Sequence, residues 1–328
     1  MRLEDFDYEL PKEAIAQAPV HPRDRAKLMV IHRDTKEIED KIFYEIVDYL
    51  NAGDLLVVNE TKVIRARLMG KKPTGARVEI FLLKKVAPHV WHTLVRPGSK
   101  VKEGTKVILN GVTGECVRHL EDGTRYFEFD VDDEKLEKIG EVPLPPYIHK
   151  PVEDPNEYQT VYANVPGSVA APTAGLHFTL ELLEKIKKMG VKVLKVSLDV
   201  GLDTFKPIET ENVEDHKMHT EFYRISDDVV KEIENRKGKI FAVGTTVVRT
   251  LESWAKTGRL SGYTDLYIYP PYKFQIVDAL ITNFHIPKSS LIVLVSAFAG
   301  RELVMQAYKR ALKSGYRFFS FGDACLFL

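Results

Sequence analysis

Cysteine is scarce: the chain holds two, Cys116 and Cys325, far apart in sequence. That excludes a disulfide framework of the kind that staples small secreted domains, and it fits a reducing compartment. Net charge is absent as well. The 47 basic residues balance 47 acidic ones, so the protein does not coat nucleic acid by bulk attraction, and any RNA site must be local. Long apolar runs are missing. The strongest, residues 291–299, is about half of what a membrane crossing needs and predicts a buried helix. The amino terminus, Met1-Arg2-Leu3-Glu4-Asp5, opens on charge with no apolar stretch of signal-peptide length, so a cytoplasmic location is expected. There is no Gly-x-Gly-x-x-Gly turn after a strand, no phosphate-binding P-loop, no nucleophile elbow and no Cys-x-x-Cys pair.

What is present describes a folded enzyme-sized chain. Hydrophobic residues at 44% and charged ones at 29% supply an ample core and exclude disorder. A length of 328 residues exceeds what one core usually serves, which predicts two domains. Residues 1–62 contain a Pro-punctuated start, a helix-like stretch at 42–50 and the apolar run Leu55-Leu56-Val57-Val58, which reads as a buried strand. From residue 63 the pattern turns to short β-branched and aromatic runs (76–86, 89–95, 106–109, 126–131) separated by turn residues. These predict a small all-β barrel over 63–156, leaving through the extended Pro143-Leu144-Pro145-Pro146-Tyr147 linker.

Beyond residue 157 helices and strands alternate. Thr179 caps a helix to Lys188 that stops at Gly190, and a strand follows at 191–200. A helix at 227–236, a strand at 240–243, a helix at 247–256, a helix at 301–314 and a last strand at 317–321 continue the pattern. Alternation of this kind predicts an α/β domain, residues 1–62 with 157–328, whose largely parallel sheet is flanked by helices and carries the barrel as an insertion.

In such sheets ligands bind outside the carboxyl ends of the strands, so the loops that follow strands hold the candidates. The run from Gly167 to Thr179 is rich in small residues and ends on a helix; Thr173, Gly175 and His177 sit in it, and it is either a ligand loop or an ordinary connection. Gly244-Thr245-Thr246, with Arg249 one turn on, can offer amides, hydroxyls and a cation to a polar ligand, or simply cap a helix. In Asp215-His216-Lys217-Met218-His219-Thr220-Glu221 only the two histidines have helical ligand spacing, so acid/base work by His219 is a better reading than a metal site. Thr282-Asn283-Phe284-His285 ends a strand, and Asp323 ends what reads as the last one; each could be catalytic, and each could satisfy a backbone group. Residues 60–106 hold twelve Lys/Arg against three Asp/Glu, while residues 107–141 hold four against ten. That makes a basic island.

Taken in order, these segments resemble a known family. Glu9-Leu10-Pro11, Gly53-Asp54 with Asn59, Pro143-Leu144-Pro145-Pro146-Tyr147-Ile148, Tyr158-Gln159-Thr160-Val161-Tyr162-Ala163, Ala170-Ala171-Pro172-Thr173-Ala174-Gly175-Leu176-His177-Phe178, Gly244-Thr245-Thr246 with Arg249, Thr282-Asn283-Phe284-His285 and Gly322-Asp323-Ala324 look like the S-adenosylmethionine:tRNA ribosyltransferase-isomerases of queuosine biosynthesis. The resemblance runs from end to end. It implies transfer and isomerisation of the ribosyl part of S-adenosylmethionine onto a 7-aminomethyl-7-deazaguanine base in the tRNA anticodon, giving epoxyqueuosine and releasing adenine and methionine, with no metal and no membrane. It implies a base drawn from His177, His219 or Asp199, and an acid for the departing adenine in Asp323 or His285. Thr173, Gly175, Gly244, Thr245, Thr246 and Arg249 would bind the donor, and Lys62, Arg65, Arg67, Lys71, Lys72, Lys100 and Lys102 the RNA phosphates. A monomer is expected. This chain departs from the family pattern at Asp199, where a histidine is usual, and at Asp203, where a glycine is. Two rivals remain: an S-adenosylmethionine methyltransferase, against which the missing Gly-rich turn counts, and an RNA-binding module without catalysis.

Overall fold

A strand with no polar alternation must be covered on both faces. In the computed structural model, which describes residues 1–150, 152, 154–201 and 207–328, the chain forms two compact units. Residues 1–61, 145–165 and 171–328 make one, and residues 62–144 with 166–170 make the other.

The strands in chain order are β1 (Lys27–Ile31), β2 (Ile38–Ile42), β3 (Leu55–Asn59), β4 (Thr61–Val63), β5 (Arg67–Lys71), β6 (Arg77–Ala87), β7 (Val90–Arg96), β8 (Lys106–Leu109) and β9 (Val112–His119). They continue as β10 (Arg125–Phe129), β11 (Val165–Ser168), β12 (Lys192–Leu198), β13 (Glu221–Arg224), β14 (Ile240–Val243), β15 (Ser261–Thr264), β16 (Ala279–Asn283) and β17 (Ala324–Phe327). The helices are α1 (Asp133–Ile139), α2 (Leu180–Lys188), α3 (Asp227–Glu234), α4 (Thr245–Thr257), α5 (Ser290–Ala299) and α6 (Arg301–Lys313).

The first unit is an α/β sheet of nine strands in the order β15-β13-β12-β3-β14-β16-β17-β1-β2. Strands β12, β3, β14 and β16 are mutually parallel. Outside them the sheet is mixed: β13 and β15 add antiparallel on one side, β17 runs antiparallel to β16, β1 is parallel to β17, and β2 folds back on β1. The parallel part of the expected sheet is thus its centre. Antiparallel neighbours need no crossover helix, as in the direct β1–β2 return, yet the antiparallel pair β16 and β17 is still joined through α5 and α6, so alternation of elements does not by itself give strand direction.

The apolar run of β3 shows how the layers form. Leu55 and Val57 face a core built with α3, α4, α5 and α6, while Leu56 and Val58 face a second core built with α2 and the 3-10 turn Phe43–Tyr49. Thr179 caps α2 by accepting from the Leu182 amide, as its position predicts. The apolar run at 291–299 lies in α5, whose residues are mostly buried in the first core. Among the described residues no single helix is long and apolar enough to cross a membrane; α5 and α6 meet the criterion only together, bent by 115°.

Two expectations shift. The stretch at 42–50 is a 3-10 turn rather than an α-helix, and residues 317–321 are not a strand. Phe318 makes only an isolated bridge to Ile15, and the strand forms at Ala324–Phe327, where four consecutive buried residues fit between β16 and β1. Asp323 therefore precedes a strand instead of ending one.

The second unit is a closed antiparallel barrel in the order β10-β7-β6-β5-β8-β9. Alternation sets its inside, as in β8, where Val107 and Leu109 are buried and Lys106 and Ile108 are exposed. Strands β5 and β9 and helix α1 are elements that the sequence pattern did not announce.

One buried carboxylate anchors the return from β15 to β16. Glu252 of α4, fully buried, accepts from the amides of Gln275 (2.9 Å), Ile276 (3.0 Å) and Val277 (3.3 Å) and from the Tyr272 hydroxyl (3.3 Å). Replacing it by alanine leaves the buried Val277 amide and the less buried Ile276 and Gln275 amides without their acceptor, so Glu252→Ala should lose about 1 to 3 kcal/mol of stability. Urea unfolding followed by circular dichroism checks this; a loss under about 1 kcal/mol would mean that water or a repacked loop satisfies those amides.

Candidate active site

The four central strands are parallel, so their carboxyl ends, Asn59, Leu198, Val243 and Asn283, share one edge. At that edge the first unit opens into a cleft of two lobes. One encloses about 580 Å³ including its mouth and is lined by Tyr147, residues 171–174, Val200, Gly244, Thr245, Thr246, residues 282–286, Leu291, Phe319 and Ser320. The other takes in about 390 Å³ including the open solvent at its mouth and is lined by Met218, Glu221, Arg249, residues 266–268, Ser290, Leu294 and, shared with the first, Thr245, Thr246 and Leu291.

The shared lip comes directly from sequence. Gly244 links β14 to α4 with φ +92°, a conformation that side chains avoid, and its N–H donates to the Ile281 carbonyl at 2.7 Å. The next two residues then open the helix with their hydroxyls at the cleft, and the Thr246 Oγ1 is buried without a hydrogen-bond partner.

Behind the first lobe lies a chain of neutral groups. Thr173 Oγ1 donates to Asn283 Oδ1 at 2.9 Å, and Asn283 Nδ2 is 3.2 Å from His177 Nε2. His177 is itself not on the cleft wall; its ring packs at 4.9 Å against Phe43. Burial, with help from Arg317 and Arg23, pushes its pKa down to about 3, so it is neutral and an acceptor for Asn283. Gly175 is also off the wall: a Cβ there would collide with the Tyr162 hydroxyl, so its smallness serves packing. His285 does line the lobe. Its Nε2 is 2.8 Å from Thr282 Oγ1, its backbone is held by the Tyr8 and Tyr308 hydroxyls, and burial lowers its pKa to about 3.

Charge gathers toward the second lobe. Arg249 forms an ion pair with Glu221, both nearly buried, and also donates to the carbonyls of Leu266 (3.1 Å) and Thr264 (3.4 Å). The other oxygen of Glu221 accepts from the Gly201 amide at 3.0 Å. Asp199 follows β12 next to Val200 of the cleft wall, with its amide donating to Phe222 O at 2.9 Å. Burial raises its carboxyl to about 6; Arg224 opposes the rise and Glu221 adds to it. His219 is exposed, beside Met218 of the second lobe. Asp203 lies outside the described residues.

Asp323 is not on the cleft wall. Its two oxygens accept from the amides of Lys27 (2.9 Å) and Arg317 (2.7 Å), tying the start of β1 to the turn before β17. The basic candidates all belong to the barrel unit, where Lys62, Arg65, Arg67, Lys71, Lys100 and Lys102 are exposed and Lys72 is half-buried. Arg67 pairs with Glu79 at 3.0 Å, and Lys72 donates to the Lys100 carbonyl. Among the described residues no group of three or more His, Cys, Asp or Glu side chains could hold a metal ion.

Sequence reading passed over Tyr147, Phe319 and Tyr267. Tyr147 read as linker, yet its ring lies 4.7 Å from that of Phe319 and its hydroxyl 2.7 Å from Ser320 Oγ. Phe319 has φ +71°, rare for an aromatic residue, and no local pattern signals it.

A family model described as "Queuosine biosynthesis protein" matches residues 3–327. A protein of Halothermothrix orenii named S-adenosylmethionine:tRNA ribosyltransferase-isomerase is 54% identical, with 100% of each chain covered. One of the same name from Thermosipho melanesiensis is 54% identical over 99% of each. A crystal structure of the S-adenosylmethionine tRNA ribosyltransferase from Thermotoga maritima shares 44% identity, covers 99% of this chain and 100% of that one, and superposes with a TM-score of 0.59. Matched from one end to the other, the chain belongs to the queuosine biosynthesis protein family.

Proposed function

We propose that this protein is an S-adenosylmethionine:tRNA ribosyltransferase-isomerase that moves and isomerises the ribosyl group of S-adenosylmethionine onto a 7-aminomethyl-7-deazaguanine base at the wobble position of tRNA, releasing adenine and methionine. The observation that carries the reading is the two-lobed cleft at the carboxyl edge of the sheet, in a chain whose relatives of equal length bear that name. S-adenosylmethionine is the co-substrate. Because both substrates are found in the cytoplasm, we assign the protein there.

The sulfonium withdraws electrons from the neighbouring carbon, so a C5′ proton can be taken by a base that is ionised near neutrality yet not strongly solvated. Asp199 fits: its carboxyl titrates near 6, and it adjoins the cleft wall. Burial holds His177 and His285 neutral, which disfavours either as the imidazolium that gives adenine its proton. We assign His285 a neutral hydrogen bond to the leaving base and His177 the orientation of Asn283. Asp323, with both oxygens on backbone amides, is assigned to the fold. Gly244, Thr245 and Thr246 hold the donor where the lobes meet, Thr173 fixes Asn283 on the wall, and Arg249 supplies positive charge. The exposed lysines and arginines of the barrel are assigned to tRNA phosphates.

Incubation of the protein with S-adenosylmethionine and tRNA carrying the aminomethyl-deazaguanine base should release free adenine, measured by chromatography, only when that tRNA is present. S-adenosylhomocysteine in its place would mean methyl transfer. Single-turnover rate should rise with pH through about 6 and level off above, because the base works only when deprotonated. Asp199→Asn should lower the plateau by about 10²- to 10⁴-fold and remove the limb near 6; a limb that survives the substitution reports another group. Affinity for tRNA should fall linearly with salt on a logarithmic plot. Replacing Lys71, Lys100 and Lys102 together by glutamine should flatten that slope by roughly 0.7 to 0.9 for each phosphate no longer neutralised. An unchanged slope moves the RNA footprint elsewhere.

A further inference from the structure

The second lobe holds more charge and hydrogen-bonding capacity than the fold itself uses. Arg249 and Glu221 are 6% and 8% exposed and pair on its wall. A buried ion pair is seldom better for stability than apolar residues of the same size, so its place on a cavity wall points to a ligand. Both partners are held from behind by main chain: Arg249 donates to the Leu266 and Thr264 carbonyls, and Glu221 accepts from the Gly201 amide. A guanidinium has five N–H donors in a fixed fork and keeps capacity after these bonds. A second observation is independent of the pair. The hydroxyls of Tyr267 and Thr246, on the same wall, are buried with no hydrogen-bond partner.

A ligand that answers all four groups must bring an anion and a cation within one small head. A carboxylate satisfies Arg249 and can accept from a hydroxyl, while an ammonium satisfies Glu221 and can donate to the other hydroxyl. Because both charges arrive together, the Arg249–Glu221 pair can open without stranding either buried ion. An α-amino-acid terminus has this composition. We propose that the second lobe clamps the amino-acid end of the S-adenosyl donor, with Arg249 on its carboxylate, Glu221 on its ammonium, and the Tyr267 and Thr246 hydroxyls completing the shell. The assignment rests on the reading that the cleft binds S-adenosylmethionine. It leaves the first lobe, walled by Tyr147 and Phe319, for the adenosine half, and it sets the sulfonium at the shared Thr245-Thr246 lip, in the lobe whose wall also carries Val200, the residue after Asp199.

Calorimetric titration of the full-length protein with S-adenosylmethionine and with 5′-methylthioadenosine, which lacks the amino-acid end, tests this. The protein should prefer S-adenosylmethionine at least tenfold. Tyr267→Phe should weaken S-adenosylmethionine about fivefold and leave 5′-methylthioadenosine unchanged. Its melting temperature should not fall, since the hydroxyl removed has no partner to lose. Glu221→Gln should weaken S-adenosylmethionine by more, about tenfold to a hundredfold, again without affecting the truncated probe. If either substitution leaves S-adenosylmethionine affinity intact, or Tyr267→Phe weakens both probes equally, the clamp is wrong while the donor site stands. If neither probe binds the unaltered protein, the donor reading itself fails. Should Glu221→Gln not melt cooperatively, Tyr267→Phe decides the matter alone.

Discussion

Strand β3 is buried on both faces, and the first unit is organised by how its two ends are fastened. At its start Asp54, 3% exposed, accepts from the amides of Lys239 (2.7 Å) and Asn51 (2.8 Å), which fixes where β14 begins beside it. At its end Asn59, fully buried, donates to the Leu198 carbonyl at 3.0 Å and accepts from the amides of Thr61 (3.1 Å) and Leu198 (3.2 Å). Those bonds bring the ends of β3 and β12 level. A strand with no solvent face cannot satisfy its terminal groups with water, so side chains must do it. Once β12, β3 and β14 end in line, the loops after them have to converge, and the cleft is where they do.

The cleft then divides its labour by electrostatics. Around the first lobe burial keeps two imidazoles uncharged and lets them act through fixed hydrogen bonds. The second lobe concentrates opposite charges side by side. Glu221 also helps to raise Asp199, so the side chain that balances Arg249 contributes to the tuning of the proposed base. In the mechanism we propose, binding and proton transfer are therefore electrostatically linked through one carboxylate.

Much of this is legible in the order of residues alone. The run Leu55-Val58 announces a doubly buried strand, Thr179 announces a helix start, and Gly244 before two threonines announces a turn into a helix; each is a local rule acting on neighbouring residues. What escapes depends on partners distant in sequence. Asp323 looks like a cleft carboxylate until Lys27 is placed beside it. Tyr147 looks like linker until Phe319 faces it, and His177 looks like a base until Asn283 and Phe43 enclose it. Hydrophobic periodicity also does not say which strands become neighbours, so the antiparallel edges of the sheet could not be read from the alternation of elements.

The position of β17 has a consequence for how the polypeptide is made. Residues 324–327 lie between β16 and β1, in register with Asn283 on one side and Leu28 on the other. Until they leave the ribosome, β1 lacks its parallel neighbour and β16 presents an uncovered apolar edge. An open edge of that kind readily pairs with other chains. The sheet between β16 and β1 can close only once residues 324–327 have been made, and until then the gap they fill is open to strands of other chains.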